Sequence, residues 1–180
     1  MPFFSATSDQ NSIPPIIESE RAALGMERWL DALNTSDDKN LVKQAKKINA
    51  DPTLKGLLEI VFSYSPYLTQ SILIDPKFTC ALLQYGPEQL MRKILKTIQN
   101  ARGEIPGTPE GTDELAALLR QTKRQASLAI ALADISGVWE LAQITDALSE
   151  LAEASISAAA SHLIILAAGQ GAIIIEDTDN

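Results

Sequence analysis

The hydrophobic and polar positions of the chain follow a helical spacing along most of its length. Near the N-terminus, apolar residues such as Met26 and Leu30 return every three or four positions, which places them on one face of a helix. Proline follows Ser65, Asp75 and Gly86. Because the residue before a proline avoids the helical conformation while proline suits a first turn, each pair marks a new helix. The pattern predicts helices over residues 16–33, 41–49, 52–63, 66–74, 76–84 and 87–101.

Two longer helices are predicted after a loop rich in glycine and proline over residues 102–111. The first begins at Thr112, a good N-cap whose two following acidic residues suit the positive end of the helix dipole. It ends near Ile135, and a Ser-Gly turn follows. The second runs from about Val138 to Ala168 and closes the predicted helical part of the chain.

Small side chains dominate the end of the second long helix, and small side chains let two helix axes approach closely. We therefore expect the two long helices to pack as an antiparallel pair. The expected apolar face of the first helix carries Leu115, Leu118, Leu119, Ala126, Ala129, Ile130 and Ala133. That of the second carries Leu141, Ile144, Leu148, Leu151, Ala152, Ala159 and Leu163.

The predicted fold class is mostly α, a helical bundle with two long antiparallel C-terminal helices. No segment before residue 172 alternates with the period of two that a half-buried strand requires. Residues 172–175 are β-branched and follow a glycine, so they are interpreted as a short terminal strand or as a tail. The predicted organisation is a flexible leader over 1–15, a short-helix region over 16–111, a long helical pair over 112–168 and a tail over 169–180.

The composition is that of a folded, acidic protein. The 180 residues include 15 Lys and Arg against 23 Asp and Glu, so the net charge is −8, and 46% of residues are hydrophobic. This apolar fraction excludes a disordered chain. The negative charge disfavours nucleic acid and anionic membrane surfaces as partners. The single cysteine, Cys80, excludes an internal disulfide, so we expect a reducing, cytoplasmic location.

A long uncharged stretch raises the question of a membrane. Residues 154–175 carry no formal charge and are long enough to span a bilayer. Polar side chains such as Ser157, Ser161 and His162 interrupt the stretch, and Gly169 would end a helix inside it. We therefore predict a buried amphipathic helix and no membrane span. The first twelve residues lack the basic start and the long apolar run of a secretory signal.

Two single residues are candidates for chemistry. His162 is the only imidazole and could act as a general base, but no acidic residue lies one helical turn away to orient it. This favours a structural histidine. Cys80 lies among apolar residues, which favours a buried, unreactive thiol over a nucleophile.

Three short motifs are typical of metal or phosphate sites but lack the context of such a site. Asp177 and Asp179 form the Asp-x-Asp pair that can hold Mg²⁺ on a strand, yet no strand follows to fix them, so we interpret a solvated acidic end. Residues 169–171 lack the third glycine of a dinucleotide-binding loop, and residues 107–111 lack the lysine of a phosphate loop and are interpreted as a turn. The residues alone therefore predict no catalytic, cofactor-binding or metal-ligating side chain.

Basic and aromatic side chains give further candidates for binding. The basic clusters are Lys43, Lys46 and Lys47, and Arg120, Lys123 and Arg124. They could dock an acidic partner or phosphate, but basic residues on helices usually face water, and we favour that interpretation. We expect Trp29, Trp139, Tyr64 and Tyr67 to be packing anchors rather than stacking platforms.

A series of short motifs resembles one enzyme family. The motifs are SPYL at 65–68, DP at 75–76, LLRQTKR at 118–124, ALADISG at 131–137, WELAQIT at 139–145 and LSELA at 148–152. In this order and spacing they resemble the repeated domain of bacterial glutamine synthetase adenylyltransferases. The resemblance covers residue 65 to the C-terminus, and the helices before it match the helical lead-in of that family.

The resemblance implies a large bifunctional enzyme with two nucleotidyltransferase-like halves. One half removes AMP from a tyrosine of glutamine synthetase by phosphorolysis, and the other attaches AMP from ATP. A PII signalling protein and glutamine set the balance, and both reactions use Mg²⁺ held by carboxylates on a sheet. The implied partners are therefore glutamine synthetase and PII, and the implied cofactors of the full-length family are Mg²⁺ and ATP.

The sequence departs from this family at its C-terminus. The resemblance implies a following G-x-G-x-x-G-x-x-E-L-N-x-x-S-D-x-D pattern with the phosphate and metal contacts, and the sequence reaches Asn180 without it. Asp177 and Asp179 do not match the family's metal pair, because the glycine-rich segment that precedes it is missing. We therefore expect an N-terminal helical fragment without catalytic residues or bound cofactor, inactive by itself. The alternative is a self-standing helical interaction module.

Overall fold

A computed structural model describes residues 15–174, which form eight helices and no strand. The helices are α1 (Ser19–Asn34), α2 (Lys39–Ala50), α3 (Pro52–Tyr64), α4 (Pro66–Ile74), α5 (Pro76–Tyr85), α6 (Pro87–Glu104), α7 (Pro109–Ile135) and α8 (Leu141–Gly169). The mostly α fold class is confirmed. The expected leader up to residue 14 and the pair Asp177 and Asp179 lie outside the described residues. Residues 172–174, which were interpreted as a strand or a tail, are not in a strand.

The predicted starts of α4, α5 and α6 are confirmed, whereas α1 begins at Ser19 rather than residue 16 and α2 begins at Lys39 rather than residue 41. The Ser65 hydroxyl accepts a hydrogen bond from the backbone N–H of Leu68, with 3.2 Å between the two heavy atoms. In the same way the Asp75 carboxylate accepts from the N–H of Phe78 at 3.0 Å. Each cap satisfies a backbone donor that the first turn leaves free, and a proline follows it in the first turn. Gly86 has a φ of 84°, which suits glycine at the turn before α6.

The predicted loop over 102–111 is too long at both ends. Helix α6 continues to Glu104, and α7 begins at Pro109 rather than at Thr112. The N-cap of α7 is Thr108, whose hydroxyl accepts from the N–H of Gly111 at 3.1 Å. Thr108 followed by Pro109 is the same cap-and-proline pattern that starts the shorter helices, so the correct start was present in the sequence.

The eight helices pack in two groups around one continuous apolar core. Helices α1 to α5 contact one another, and α6, α7 and α8 form a three-helix group. The groups meet where α4 contacts α7 and where α5 contacts α6. The largest buried side chains include Trp29, Leu33, Phe62, Ile98 and Leu128.

The antiparallel packing of the two long helices is confirmed. Thr112, near the start of α7, lies against His162, near the end of α8. The buried face of α7 contains Leu115, Ala126, Ala129, Ile130 and Ala133 as predicted, and also Thr122, Leu128 and Leu132.

The predicted buried face of α8 is only partly correct, since Ile144 and Leu151 pack against the core but other predicted members do not. Leu141, Leu148 and Leu163 are exposed, and the buried residues of this helix are Ala147, Ala158 and His162. Helices α6 and α7 cover the side with Ala147 and Ala158, and Leu141, Leu148 and Leu163 are left on the outside.

Helix α8 is also less buried than the sequence analysis expects. By length and composition it is the one helix of residues 15–174 that could cross a membrane, and only 11% of its most apolar stretch is buried. A composition of this kind is weak support for a membrane span, and the absence of such a span stays a prediction.

Candidate functional site

His162 joins the two long helices through one hydrogen bond. Its Nε2 lies 2.9 Å from the hydroxyl oxygen of Thr112. The same hydroxyl lies 3.1 Å from the carbonyl oxygen of Thr108, which accepts a hydrogen bond from it. The side chain is buried, and no carboxylate within residues 15–174 bonds to it. These contacts agree with a structural histidine.

Cys80 lies on α5 and is fully buried. Burial raises the pKa of its thiol to about 12, because the thiolate would lose its hydration. The thiol is therefore protonated at neutral pH and is a poor nucleophile. It lines a groove of about 300 Å³ whose rim includes Gln44 and Gln84, which are joined by a hydrogen bond of 2.9 Å between their amides. These properties match the predicted unreactive thiol.

Of the two glycine-rich motifs, the one at residues 107–111 serves chain packing. A Cβ on Gly107 would overlap the side chain of Ile165 on α8, and one on Gly111 would overlap the carbonyl oxygen of Pro106. Both glycines therefore let the loop before α7 approach its neighbours closely. Gly111 lies inside α7, so the predicted turn over 107–111 is only partly correct. Gly171, with a φ of 71°, follows the end of α8.

The basic clusters face solvent, with one exception. Lys43, Lys46 and Lys47 are exposed on α2, in agreement with a solvated helix face. Arg120 and Lys123 are exposed on α7. Arg124 is half-buried, and its Nε has no hydrogen-bond partner among the described residues, so it does not belong to the outer face as expected.

The aromatic residues divide into buried tryptophans and exposed tyrosines. Trp29 is fully buried in the core, and the indole of Trp139 donates to the Glu88 carboxylate at 2.7 Å, so both are packing anchors. Tyr64 is exposed, although its hydroxyl donates to the carbonyl oxygen of Pro15 at 2.8 Å. Tyr67 is more than half exposed, and its expected role as a packing anchor is wrong.

The candidate residues for chemistry do not come together in one site within the described part of the chain. Residues 15–174 contain no group of three or more His, Cys, Asp or Glu side chains that could hold a metal ion. The residues that the sequence analysis singled out lie apart: Cys80 is on α5, His162 is on α8 against Thr112, and the lysines of the basic clusters are on outer faces. Their geometry supports packing and surface contacts rather than bond chemistry.

The feature that sequence reasoning missed is an apolar stripe on the outside of α8. We call it the α8 stripe and define it as Leu141, Thr145, Leu148, Ala152, Ile156, Ala160 and Leu163. Except for Thr145, Ala152 and Ala160, its members are large apolar side chains that are 51–76% exposed. The spacing of three or four residues was visible in the sequence, but spacing alone does not say which side of a helix is covered.

Comparison with known proteins identifies the family. The family model for glutamate-ammonia ligase adenylyltransferase matches residues 54–178, which is more than half of the chain. The chain belongs to this family. The match includes α3 to α8, so these helices are the part of the fold that the family shares. The resemblance drawn from the sequence motifs is therefore confirmed.

Three relatives of this adenylyltransferase family carry the same name, bifunctional glutamine synthetase adenylyltransferase/adenylyl-removing enzyme. The protein of Rhodopseudomonas palustris (strain TIE-1) is 35% identical over 156 residues, which are 87% of this chain and 15% of that protein. The protein of Rhizobium meliloti (strain 1021) is 35% identical over 135 residues, 74% of this chain and 14% of its own length. The protein of Bradyrhizobium diazoefficiens is 30% identical over 158 residues, which are 88% of this chain and 15% of that protein.

The chain thus spans about 15% of the length of the curated relatives that it matches. No solved structure matches it.

Proposed function

We propose that the chain is a helical, non-catalytic part of an enzyme that adenylylates and deadenylylates glutamine synthetase. The family match carries the proposal, together with the reaction that the relatives' shared name describes. In such an enzyme the two helix groups would flank and brace the nucleotidyltransferase part. Glutamine synthetase and a PII protein would then be partners of the whole enzyme, in the cytoplasm.

The donor groups of this chain do not fit the Mg²⁺ and ATP that such an enzyme uses. A Mg²⁺ site needs converging oxygen ligands, and residues 15–174 hold no suitable cluster. The 180 residues also contain no G-x-G-x-x-G run with which a backbone could cradle phosphates. We therefore assign ATP and metal binding to other parts of the enzyme.

The α8 stripe agrees with this proposal. A folded protein that works alone seldom leaves a long row of large apolar side chains in water. A helical part that works against further polypeptide is expected to carry such a row. A self-standing interaction module would also carry one for its partner, so the family match, and not the stripe, favours the proposal over that alternative.

A first experiment tests for the missing chemistry. The purified chain is incubated with adenylylated glutamine synthetase, inorganic phosphate and Mg²⁺, and released ADP is measured. The Rhodopseudomonas palustris relative serves as the active control. We expect no release above that of heat-denatured chain. Release above that level would overturn the assignment of this chain as non-catalytic.

A second experiment tests the bracing role. The 156 matched residues of the Rhodopseudomonas palustris protein are deleted, or are replaced by the corresponding residues of this chain. We expect the deletion to abolish deadenylylation and the replacement to restore part of it, since the helices of both proteins share one family pattern. A replacement that folds but is as inactive as the deletion would contradict the proposal.

A further inference from the structure

The α8 stripe is a long and continuous apolar surface. From Leu141 to Leu163 the helix rises about 33 Å at about 1.5 Å per residue. Leu141, Leu148, Ile156 and Leu163 are 76%, 51%, 69% and 55% exposed. With a helix about 10 Å wide, the stripe reaches the size of patch that marks an interaction site on many monomers.

The polar atoms along this face are already used within the helix. The hydroxyl of Thr145 donates to the carbonyl oxygens of Leu141 and Ala142, at 3.0 and 2.8 Å. The hydroxyl of Ser149 donates to the carbonyl oxygen of Thr145 at 2.9 Å. Neither hydroxyl therefore has a free proton to offer outward, and what the face presents is mainly carbon. Its partner is expected to be apolar along the line of contact.

One edge of the stripe is acidic. Asp146, Glu150 and Glu153 are spaced by four and three residues, so they follow the same side of the helix, and all three are exposed. None of them forms an ion pair with another described residue. Arg102 of α6 lines a groove of about 390 Å³ together with Glu150 and Glu153, but it lies beyond ion-pair distance of both. The three carboxylates remain available to a partner.

The acidic edge favours one kind of partner for the apolar stripe over the others. Helix α8 contains the three acidic residues and no Lys or Arg, so a second copy of α8 would bring carboxylates toward carboxylates. An anionic bilayer would meet the same repulsion. A helix with an apolar stripe bordered by Lys or Arg satisfies both the apolar face and the acidic edge.

We propose that the α8 stripe is a docking site for an amphipathic helix of another polypeptide segment, whose apolar row is bordered by Lys or Arg. The two helices pack side by side over the length of the stripe, and the basic edge pairs with Asp146, Glu150 and Glu153. The inference depends on α8 alone and does not require the proposed function. Its test therefore fails or succeeds independently of any assay on glutamine synthetase.

The test uses two synthetic probes and the full chain. Both probes are amphipathic peptides about 22 residues long, the length of the stripe, with leucine on one face. One has lysine along its edges and the other has glutamate. Binding of each labelled peptide is measured by fluorescence anisotropy. We expect the lysine peptide to bind at least about tenfold tighter than the glutamate peptide.

Matched variants show whether binding takes place on α8. Ile156→Asp places a charge in the centre of the stripe and is expected to weaken the binding of the lysine peptide by about tenfold or more. Tyr67→Asp makes the same kind of change at an exposed aromatic on α4 and is expected to leave binding unchanged. Both positions are exposed, so far-UV circular dichroism and melting temperature are expected to stay close to those of the parent chain.

A second pair of variants separates the acidic edge from the net charge of the chain. Glu150→Lys with Glu153→Lys is expected to reverse the preference, so that the glutamate peptide binds more tightly. Glu20→Lys with Glu27→Lys on α1 changes the net charge equally at exposed positions and is expected to keep the original preference.

Three results would overturn the inference. The first is equal binding of the two peptides, and the second is equal loss of binding in Ile156→Asp and Tyr67→Asp. The third is another occupant: a dimer of the chain in light scattering, or binding to phosphatidylcholine vesicles, that Ile156→Asp abolishes and Tyr67→Asp does not.

Discussion

The glycines of this chain differ in how much space surrounds them, and Gly25 and Gly56 show the difference most clearly. Gly25 of α1 lies against Phe62 of α3, and a Cβ there would overlap the phenylalanine side chain. Phe62 is fully buried, so it has little room to move. Gly56 also lies inside a helix, but an added Cβ would meet nothing within 4 Å. One glycine is needed for close helix packing, and the other is not.

This contrast gives a paired stability prediction. Gly25→Ala is expected to lower the free energy of unfolding by about 1–3 kcal/mol, since the core would be overpacked. Gly56→Ala is expected to raise it by about 0.5–1 kcal/mol, because alanine loses less backbone entropy than glycine in a helix. Urea denaturation followed by circular dichroism measures both. Equal effects of the two substitutions would contradict the packing assigned to Gly25.

For single residues, the sequence predicts whether a side chain is buried more reliably than it predicts which residue caps a helix. The apolar neighbours of Cys80 predict its burial, and the absence of an acidic neighbour predicts a structural His162. The cap of α7 was placed at Thr112 although Thr108 precedes a proline, because either threonine is acceptable as an N-cap. The proline that follows Thr108 distinguishes the two threonines, because the same pattern starts the shorter helices.

Among the helices, the link between α6 and the turn before α8 depends on one side-chain pair. The indole Nε1 of Trp139 donates to the carboxylate of Glu88 at 2.7 Å. Trp139 is buried in the turn between α7 and α8, and Glu88 lies in the first turn of α6. A hydrogen bond to a charged acceptor is stronger than a neutral one, so this pair fixes the turn against α6.

We predict a measurable coupling between the two side chains. In a double-mutant cycle with Trp139→Phe and Glu88→Ala, the coupling free energy is expected to be about 1–2 kcal/mol in favour of the pair. Unfolding in urea provides the four free energies. The cycle cancels the lost tryptophan volume and the effect of Glu88 on the helix dipole. A coupling near zero would show that the bond contributes nothing to stability.

The starts of α4, α5 and α6 follow from the sequence, but the direction that the apolar residues of a helix face does not always follow. The X-Pro pairs fix the starts of α4, α5 and α6 because proline excludes other local geometries. In α8 the covered side carries Ala147 and Ala158 with the partly buried Ile144 and Leu151, and the outer side carries Leu148, Ile156 and Leu163. Hydrophobicity favours burying the larger side chains, whereas close helix packing favours the alanines, and in α8 the alanine side is covered.

For the molecule as a whole, one buried cluster connects both helix groups. It runs from Trp29 and Leu33 in α1 to Ala147 and Ala158 in α8 without interruption. Between the groups, the amide of Gln125 on α7 also donates to the carboxylate of Asp75 at 2.8 Å. The sequence-based division at residue 111 stays a prediction, since a continuous core is compatible with one cooperative unit or with two.

The two tryptophans allow this question to be answered. Trp29 lies in the core of the α1–α5 group, and Trp139 lies in the three-helix group. Trp139→Phe leaves a probe in the first group, and Trp29→Phe leaves one in the second. Because the buried cluster is continuous, we expect each variant to unfold in one step. Its tryptophan fluorescence and its far-UV circular dichroism should then change over the same range of urea concentrations. If the fluorescence of Trp139 changed at lower urea than the circular dichroism of the same variant, the three-helix group would unfold first. The division near residue 111 would then describe two units of different stability.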